Sequence, residues 1–210
     1  MIRKGVVITI LSGLMFLTAC SDPAADKSRA VTGEAAQVTP QTVSGQRYVI
    51  NTQNSQVQFV GSKVTGSHNG SFGSFTGQID YAGAPEKSRV TVTIDTNSIT
   101  ADDPKLTEHL KTADFFDVAK FPQTSFVSTE IKAGGEKGAT HTVTGNLTMH
   151  GVTKAITFPA TIAVTPDVAT VDSSFSINRK DFGINYAGAA DNLIRDEVVL
   201  TLKIRGTKAS

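Results

Sequence analysis

The chain has one cysteine, no tryptophan, and aromatics at only 7% of its 210 residues. A lone thiol rules out an intramolecular disulfide, a thiolate metal cluster and a dithiol redox pair. An excess of one charge is also missing. The 20 Lys and Arg face 19 Asp and Glu, so the electrostatic drive for nucleic-acid binding is absent and no nucleic-acid partner is expected. No apolar run reaches the ~20 residues that cross a bilayer comfortably. The four histidines, His68, His109, His141 and His150, show no His-x3-His or Cys-x2-Cys spacing, so a metal could be held only by convergence from distant parts of the chain. A Gly-x-Ser-x-Gly elbow is missing too, since Gly73-Ser-Phe-Thr-Gly77 lies within a strand pattern. No catalytic residue, cofactor or metal is therefore expected.

What is present begins with a leader. Arg3 and Lys4 precede an apolar segment from Val6 to Leu17, and Leu17-Thr18-Ala19-Cys20 ends it. This tetrapeptide resembles the lipobox of bacterial lipoproteins. The resemblance implies that residues 1–19 are removed and that Cys20, acylated on its thiol, becomes the new N-terminus. Several acyl chains would then hold the protein on a membrane without spanning it. Ser21 is neutral where an aspartate would mark inner-membrane retention, so the expectation is the outer membrane, with the domain in the periplasm. Without Arg3 and Lys4 the balance falls to 18 basic against 19 acidic residues. Residues 20–45, rich in Ala, Ser, Thr, Asp and Pro, read as a flexible tether that holds the domain away from the lipid.

From residue 46 the pattern has period two. Val57 and Phe59 alternate with glutamines; Val90, Val92 and Ile94 with polar residues. Val143, Leu147 and Met149 continue the series, as do Ile156, Phe158 and Ile162, then Phe175 and Ile177, then Val198, Leu200, Leu202 and Ile204. Turn signals fall at Gly66 to Gly70, Gly83-Ala84-Pro85, Gly134-Gly135, His150-Gly151 and Pro166-Asp167. Glycines 73 and 77 inside the strand Ser71 to Tyr81 let it bend, which favours a barrel over a sandwich. One helix interrupts the strands. Pro104 suits a first turn, Asp102 or Asp103 can cap it, and Leu106, His109 and Leu110 share a face up to an end near Phe115. The fold class is thus all-β, a roughly eight-stranded antiparallel barrel capped by one short helix. Arg179 and Asp181 read as an ion pair ordering the loop before Phe182-Gly183.

Five motifs in the same order resemble the YceI-like family. They are Tyr48-Val-Ile-Asn with Val57-Gln-Phe59; Gly70-Ser-Phe72-Gly-Ser-Phe75-Thr-Gly77; Glu108-His109-Leu110 through Asp114-Phe115-Phe116-Asp117 with Lys120-Phe-Pro122; Gly145-Asn-Leu147-Thr148-Met-His150-Gly151-Val-Thr153-Lys154; and Arg179-Lys-Asp181-Phe182-Gly183. The resemblance runs from about residue 46 to 206, and residues 46–210 are expected to form one barrel domain. It implies a lipocalin-like barrel whose long apolar interior binds a polyisoprenoid lipid or isoprenoid quinone. The chain departs from the family pattern at Leu106-Thr107 and at Asn54-Ser55, which leaves the head group open.

The inward alternates expected to line such an interior are Val57, Phe59, Phe75, Val92, Ile94, Phe115, Phe126, Leu147, Met149, Ile156, Phe158, Phe175, Ile177, Leu200 and Leu202. Strands of eight to ten residues at ~3.3 Å each enclose a tube on the order of 20–30 Å long, suited to a hydrocarbon chain. His109, on the helix, is the candidate head-group contact. Two other readings stand beside lipid carriage: a barrel filled by its own side chains that binds another envelope protein, and an enzyme acting on lipids through His109. Nothing in the sequence marks an interface stripe, and pairing into a homodimer stays open.

Overall fold

The structure, a computed structural model, describes residues 22–38, 45–190 and 192–209. The leader and Cys20 lie outside the described residues. In chain order the elements are β1 (Ser28–Arg29), β2 (Val31–Glu34), β3 (Gln46–Ile50), β4 (Gln56–Lys63), β5 (Gly66–Phe72), β6 (Phe75–Tyr81), β7 (Arg89–Asp95), β8 (Ile99–Ala101), α1 (Pro104–Leu110), β9 (Gln123–Ala133), β10 (His141–Met149), β11 (Val152–Val164), β12 (Val168–Asn178), β13 (Gly188–Ala189), β14 (Asn192–Leu193) and β15 (Glu197–Lys208).

The longer strands close into an eight-stranded antiparallel barrel. Three of its staves are each made of two segments. β3 and β4 both pair with β15, at Tyr48–Ile50 and at Gln56–Val60; β6 pairs with β3 while β5 pairs with β4; β7 pairs with β6 while β8 pairs with β5. β9 to β12 follow as single staves, and β12 closes on β15 along its whole length. The breaks fall side by side at residues 51–55, 73–74 and 96–98, and side chains repair the ladder there. Ser55 Oγ accepts from Arg205 N–H at 2.9 Å, and Ser98 Oγ accepts from Ser74 N–H at 3.0 Å. Such local interruptions let a sheet curl tightly.

Inside the strands, glycine makes room for aromatics. A Cβ on Gly70 would stand 2.1 Å from Phe59 Cζ, and one on Gly145 would stand 2.3 Å from Phe126 Cζ. Gly70 is therefore a strand residue beneath a ring, and the turn expected over Gly66 to Gly70 falls instead at residues 64–65. At the β10–β11 hairpin both His150 (φ 51) and Gly151 (φ 75) are left-handed, the geometry of a two-residue hairpin turn.

The helix is shorter than expected. It ends at Leu110, and residues 111–116 continue as turns that bring Phe115 N–H back to Thr112 O and Phe116 N–H back to Leu110 O. Asp103 is the cap, its Oδ1 accepting from Leu106 N–H at 2.9 Å, whereas Asp102 turns to His68 and Asn69. The expected Arg179–Asp181 pair does not form. A 3-10 turn over Arg179–Phe182 leaves the buried guanidinium facing Asp196 at 3.2 Å.

The stretch expected to be a flexible tether is bound to the wall over Ser28–Glu34. β11 and β12 pair only between Thr161–Val164 and Ala169–Asp172, so their other halves diverge. Into that slit runs the N-terminal strand, β1 parallel to β12 and β2 antiparallel to β11. Ser28 and Ala30 point inward, while Arg29 and Val31 face out. Its attachment is by ladder bonds and ion pairs, Arg29 to Glu197 at 2.9 Å and Glu34 to Lys154 at 2.7 Å. Counting apolar residues misses such a strand, because its inward side chains are small.

Candidate ligand chamber

Alternation places the apolar side of every stave inward, but here the inward side chains do not meet across the axis. An apolar cavity of about 210 Å3 remains among them. Of the residues expected to line it, Val57, Phe59, Val92, Ile94, Phe115, Phe126, Leu147, Met149, Ile156, Phe158, Phe175, Ile177, Leu200 and Leu202 all border it. Phe75 does not. It is buried, but it follows the break at Gly73-Ser74, and Phe72 on the other side of that break borders the cavity instead. The break resets the alternation, so two rings three residues apart both point inward.

Several lining residues escaped the sequence reading. Val90, Val143, Ile162, Val198 and Ile204 sit in strands whose alternation already marked them as inward; Ile131 and Val171 extend β9 and β12 beyond the stretch read. Ile184 and Ile194 come from the excursion between β12 and β15, where no periodicity points to them. Leu110 and both Phe115 and Phe116 close the helix end of the chamber. Phe116 meets Phe72 edge-on at 5.9 Å, and deeper in, Phe158 stacks on Phe175 at 4.3 Å with 9° between the planes.

Two polar groups border the cavity, and both are occupied. Thr124 shares a hydrogen bond with Thr96 at 3.2 Å. Arg179 donates to Ile184 O at 2.8 Å, to Arg195 O at 3.2 Å and to Asp196. Burial pushes its guanidinium below the ordinary value and Asp196 partly offsets that. Its task is to hold the 179–196 excursion to the barrel end.

At that end, next to the chamber, lies a more polar vestibule of about 390 Å3 between α1, the β4–β5 hairpin and the excursion. Phe59, Gly61, Leu110, Phe115 and Ile194 border both spaces, so the two lie side by side. Lys63, His68, Asp103, Lys105, His109, Tyr186 and Asn192 give the vestibule its polar atoms. His109 stands in its wall, with Nε2 2.7 Å from Asp114 Oδ2 and its ring edge-on to Phe115 and Tyr186 at 5.0 and 5.1 Å. Opposite it, His68 Nδ1 meets Asp102 at 2.8 Å. The Asn69 N–H and then His68 hold the Asp102 carboxyl below the usual carboxylate range, and the Leu106 N–H does the same for Asp103. The other two histidines are elsewhere: His141 faces Glu86, and His150 lies against Phe121 and Phe182 O. Among the described residues no three His, Cys, Asp or Glu side chains gather in metal-binding geometry.

A closed antiparallel barrel with one short helix and a hollow apolar axis defines a class of small binding proteins. The YceI-like domain family matches residues 48–206, and the chain belongs to that family. It is 38% identical over 146 residues to a UPF0312 protein of Pseudomonas putida strain GB-1, covering 66% of this chain and 73% of that one. A UPF0312 protein of Enterobacter sp. strain 638 is 39% identical over 147 residues, with the same coverage. Among solved structures, BcnA of Burkholderia cenocepacia superposes with a TM-score of 0.64 at 25% identity, covering 75% of this chain and 99% of its own. A polyisoprenoid binding domain from Saccharophagus degradans has the same fold, with a TM-score of 0.62 at 18% identity over 77% of this chain and 98% of its own.

Proposed function

We propose that the protein binds and carries, or sequesters, a long-chain apolar lipid of the polyisoprenoid or isoprenoid-quinone class, as a lipoprotein anchored through acylated Cys20 with its barrel in the periplasm. The observation that carries this reading is an apolar cavity with a polar vestibule set against one end of it, five residues bordering both. An amphiphile with a long tail and one polar end matches that asymmetry. Burial is worth ~0.8 kcal/mol per methylene, so ten methylene-sized groups give about 8 kcal/mol, from which ordering and association costs subtract. Binding of that kind needs no reacting group, and the proposal is of a binding protein rather than an enzyme. A side-chain-filled barrel serving only as a docking module fits the cavity poorly. The polyisoprenoid-binding description of the Saccharophagus domain agrees with the proposed ligand class.

His109 is the proposed head-group contact. Purified protein extracted with organic solvent and analysed by mass spectrometry tests the reading. It predicts a stoichiometric long-chain isoprenoid lipid, and His109→Ala is expected to keep the tail-driven occupancy while weakening retention. An empty extract from well-folded protein would count against it.

A further inference from the structure

We propose that the vestibule end of the barrel is a membrane-docking surface, held face-on against the bilayer that carries the Cys20 acyl chains; this rests on the anchoring proposed above. The expected tether would have let the domain float free, but the N-terminal strand is built into the wall. Upstream of it Asp22 pairs with Arg195, Oδ2 to Nη1 at 3.2 Å. Only Ser21 separates Asp22 from Cys20, and two residues reach at most about 7 Å whatever their conformation. Arg195 follows directly on Ile194, which borders both the chamber and the vestibule. Asp22, where the described chain begins, is therefore held to the excursion that borders the vestibule.

The opening has the rim such a placement needs. Val64, Leu193 and Tyr186 are 52%, 50% and 37% exposed, and all three stand on loops of this end. Among the described residues no large exposed apolar side chain stands in the three turns of the opposite end, residues 82–88, 134–140 and 165–167. Val64 N–H donates to Leu193 O at 3.2 Å, and Thr65 Oγ1 donates to Asn192 Oδ1 at 2.7 Å, so hairpin and excursion present the two aliphatic side chains as one edge. Tyr186 rests on His109 and Phe115. Tyrosine with an apolar body and a polar tip is favoured at the bilayer interface, where aliphatic neighbours enter the acyl boundary. A lipid tail would then pass between bilayer and chamber without crossing water.

The test uses the acylated protein in vesicles of phosphatidylethanolamine and phosphatidylglycerol. Cys20 is the chain's one cysteine, so once it is acylated an introduced thiol is the sole labelling site. A polarity-sensitive fluorophore is placed by Leu193→Cys or, at the far end, by Asp167→Cys, and nitroxide-labelled lipid is added. Several-fold stronger quenching at 193 than at 167 is expected. Equal weak quenching at both, or stronger quenching at 167, overturns the docking surface. Lipid extraction from the same samples separates the two claims. Bound lipid with a wet label at 193 sinks the docking alone, and a quenched label with no extractable lipid sinks carriage alone.

Discussion

Filling the chamber from within should cost ligand and spare the fold. Val143 is buried, borders the cavity and sits on β10 near the end away from the vestibule. Val143→Phe adds four carbons. In a solid core such overpacking costs about 1–3 kcal/mol, which for a domain of this size lowers Tm by roughly 2–4 °C per kcal/mol. Here about 210 Å3 lies beside the side chain, so the lipid-stripped variant should melt within a degree or two of the parent. The ligand should suffer instead. Four carbons displace about four methylene-sized groups of tail, ~0.8 kcal/mol each, or about 3 kcal/mol in all. That corresponds to roughly a hundredfold weaker binding, and because the blocked end is the far one, the loss should shrink for shorter tails. Displacement of a fluorescent fatty probe by isoprenols of graded length, with thermal melts of the stripped protein, reads both effects. A variant that melts several degrees lower and binds all lengths as before would refute the hollow-core reasoning.

Other perturbations follow from single contacts. Gly145→Ala puts a Cβ against the Phe126 ring and should destabilise the domain by about 1–3 kcal/mol, read in a urea titration; no change would mean that ring is free to move. Arg179→Met leaves the carbonyls of Ile184 and Arg195 without their donor, and a loss of about 1–3 kcal/mol is expected, with the 179–196 excursion becoming protease-sensitive. Ala30→Asp places a charge at an inward position of the N-terminal strand and should release it, so that limited proteolysis cuts within 22–38 while the barrel survives; an uncut strand would show that its ladder bonds alone hold it. Asp102 has a lowered pKa, so its bonds to Asn69 and His68 persist at neutral pH and are lost only as pH falls through that lowered value. The Asn69 amide shift should therefore titrate below ~3.9, the ordinary aspartate value, and a midpoint at or above it would contradict the assignment.

The staves were legible because period-two alternation survives in each strand, and an inward residue such as Leu147 or Ile156 can be named without knowing its neighbours. Where regular pairing is broken, alternation misleads. Alternation points Phe75 to the cavity wall, whereas the break at Gly73-Ser74 gives that place to Phe72. Ile184 and Ile194 could not be found because the excursion that carries them has no period, and what aims them is the buried Arg179 bonding to Asp196 across it. The N-terminal strand was hidden for a different reason. Its stability comes from the slit left by β11 and β12, a feature of residues more than a hundred positions away. The Arg179–Asp181 pairing failed similarly, since closeness in sequence is no guide to facing within a 3-10 turn.

Isotope-filtered NMR of methyl-labelled protein loaded with an unlabelled long-chain isoprenol tests the hollow barrel most directly. Cross-peaks from the tail to methyls of Val57, Leu147 and Ile156, on opposite walls of the chamber, are the predicted result. A bound isoprenol that touches only outward methyls such as those of Val31 and Val49 would contradict it.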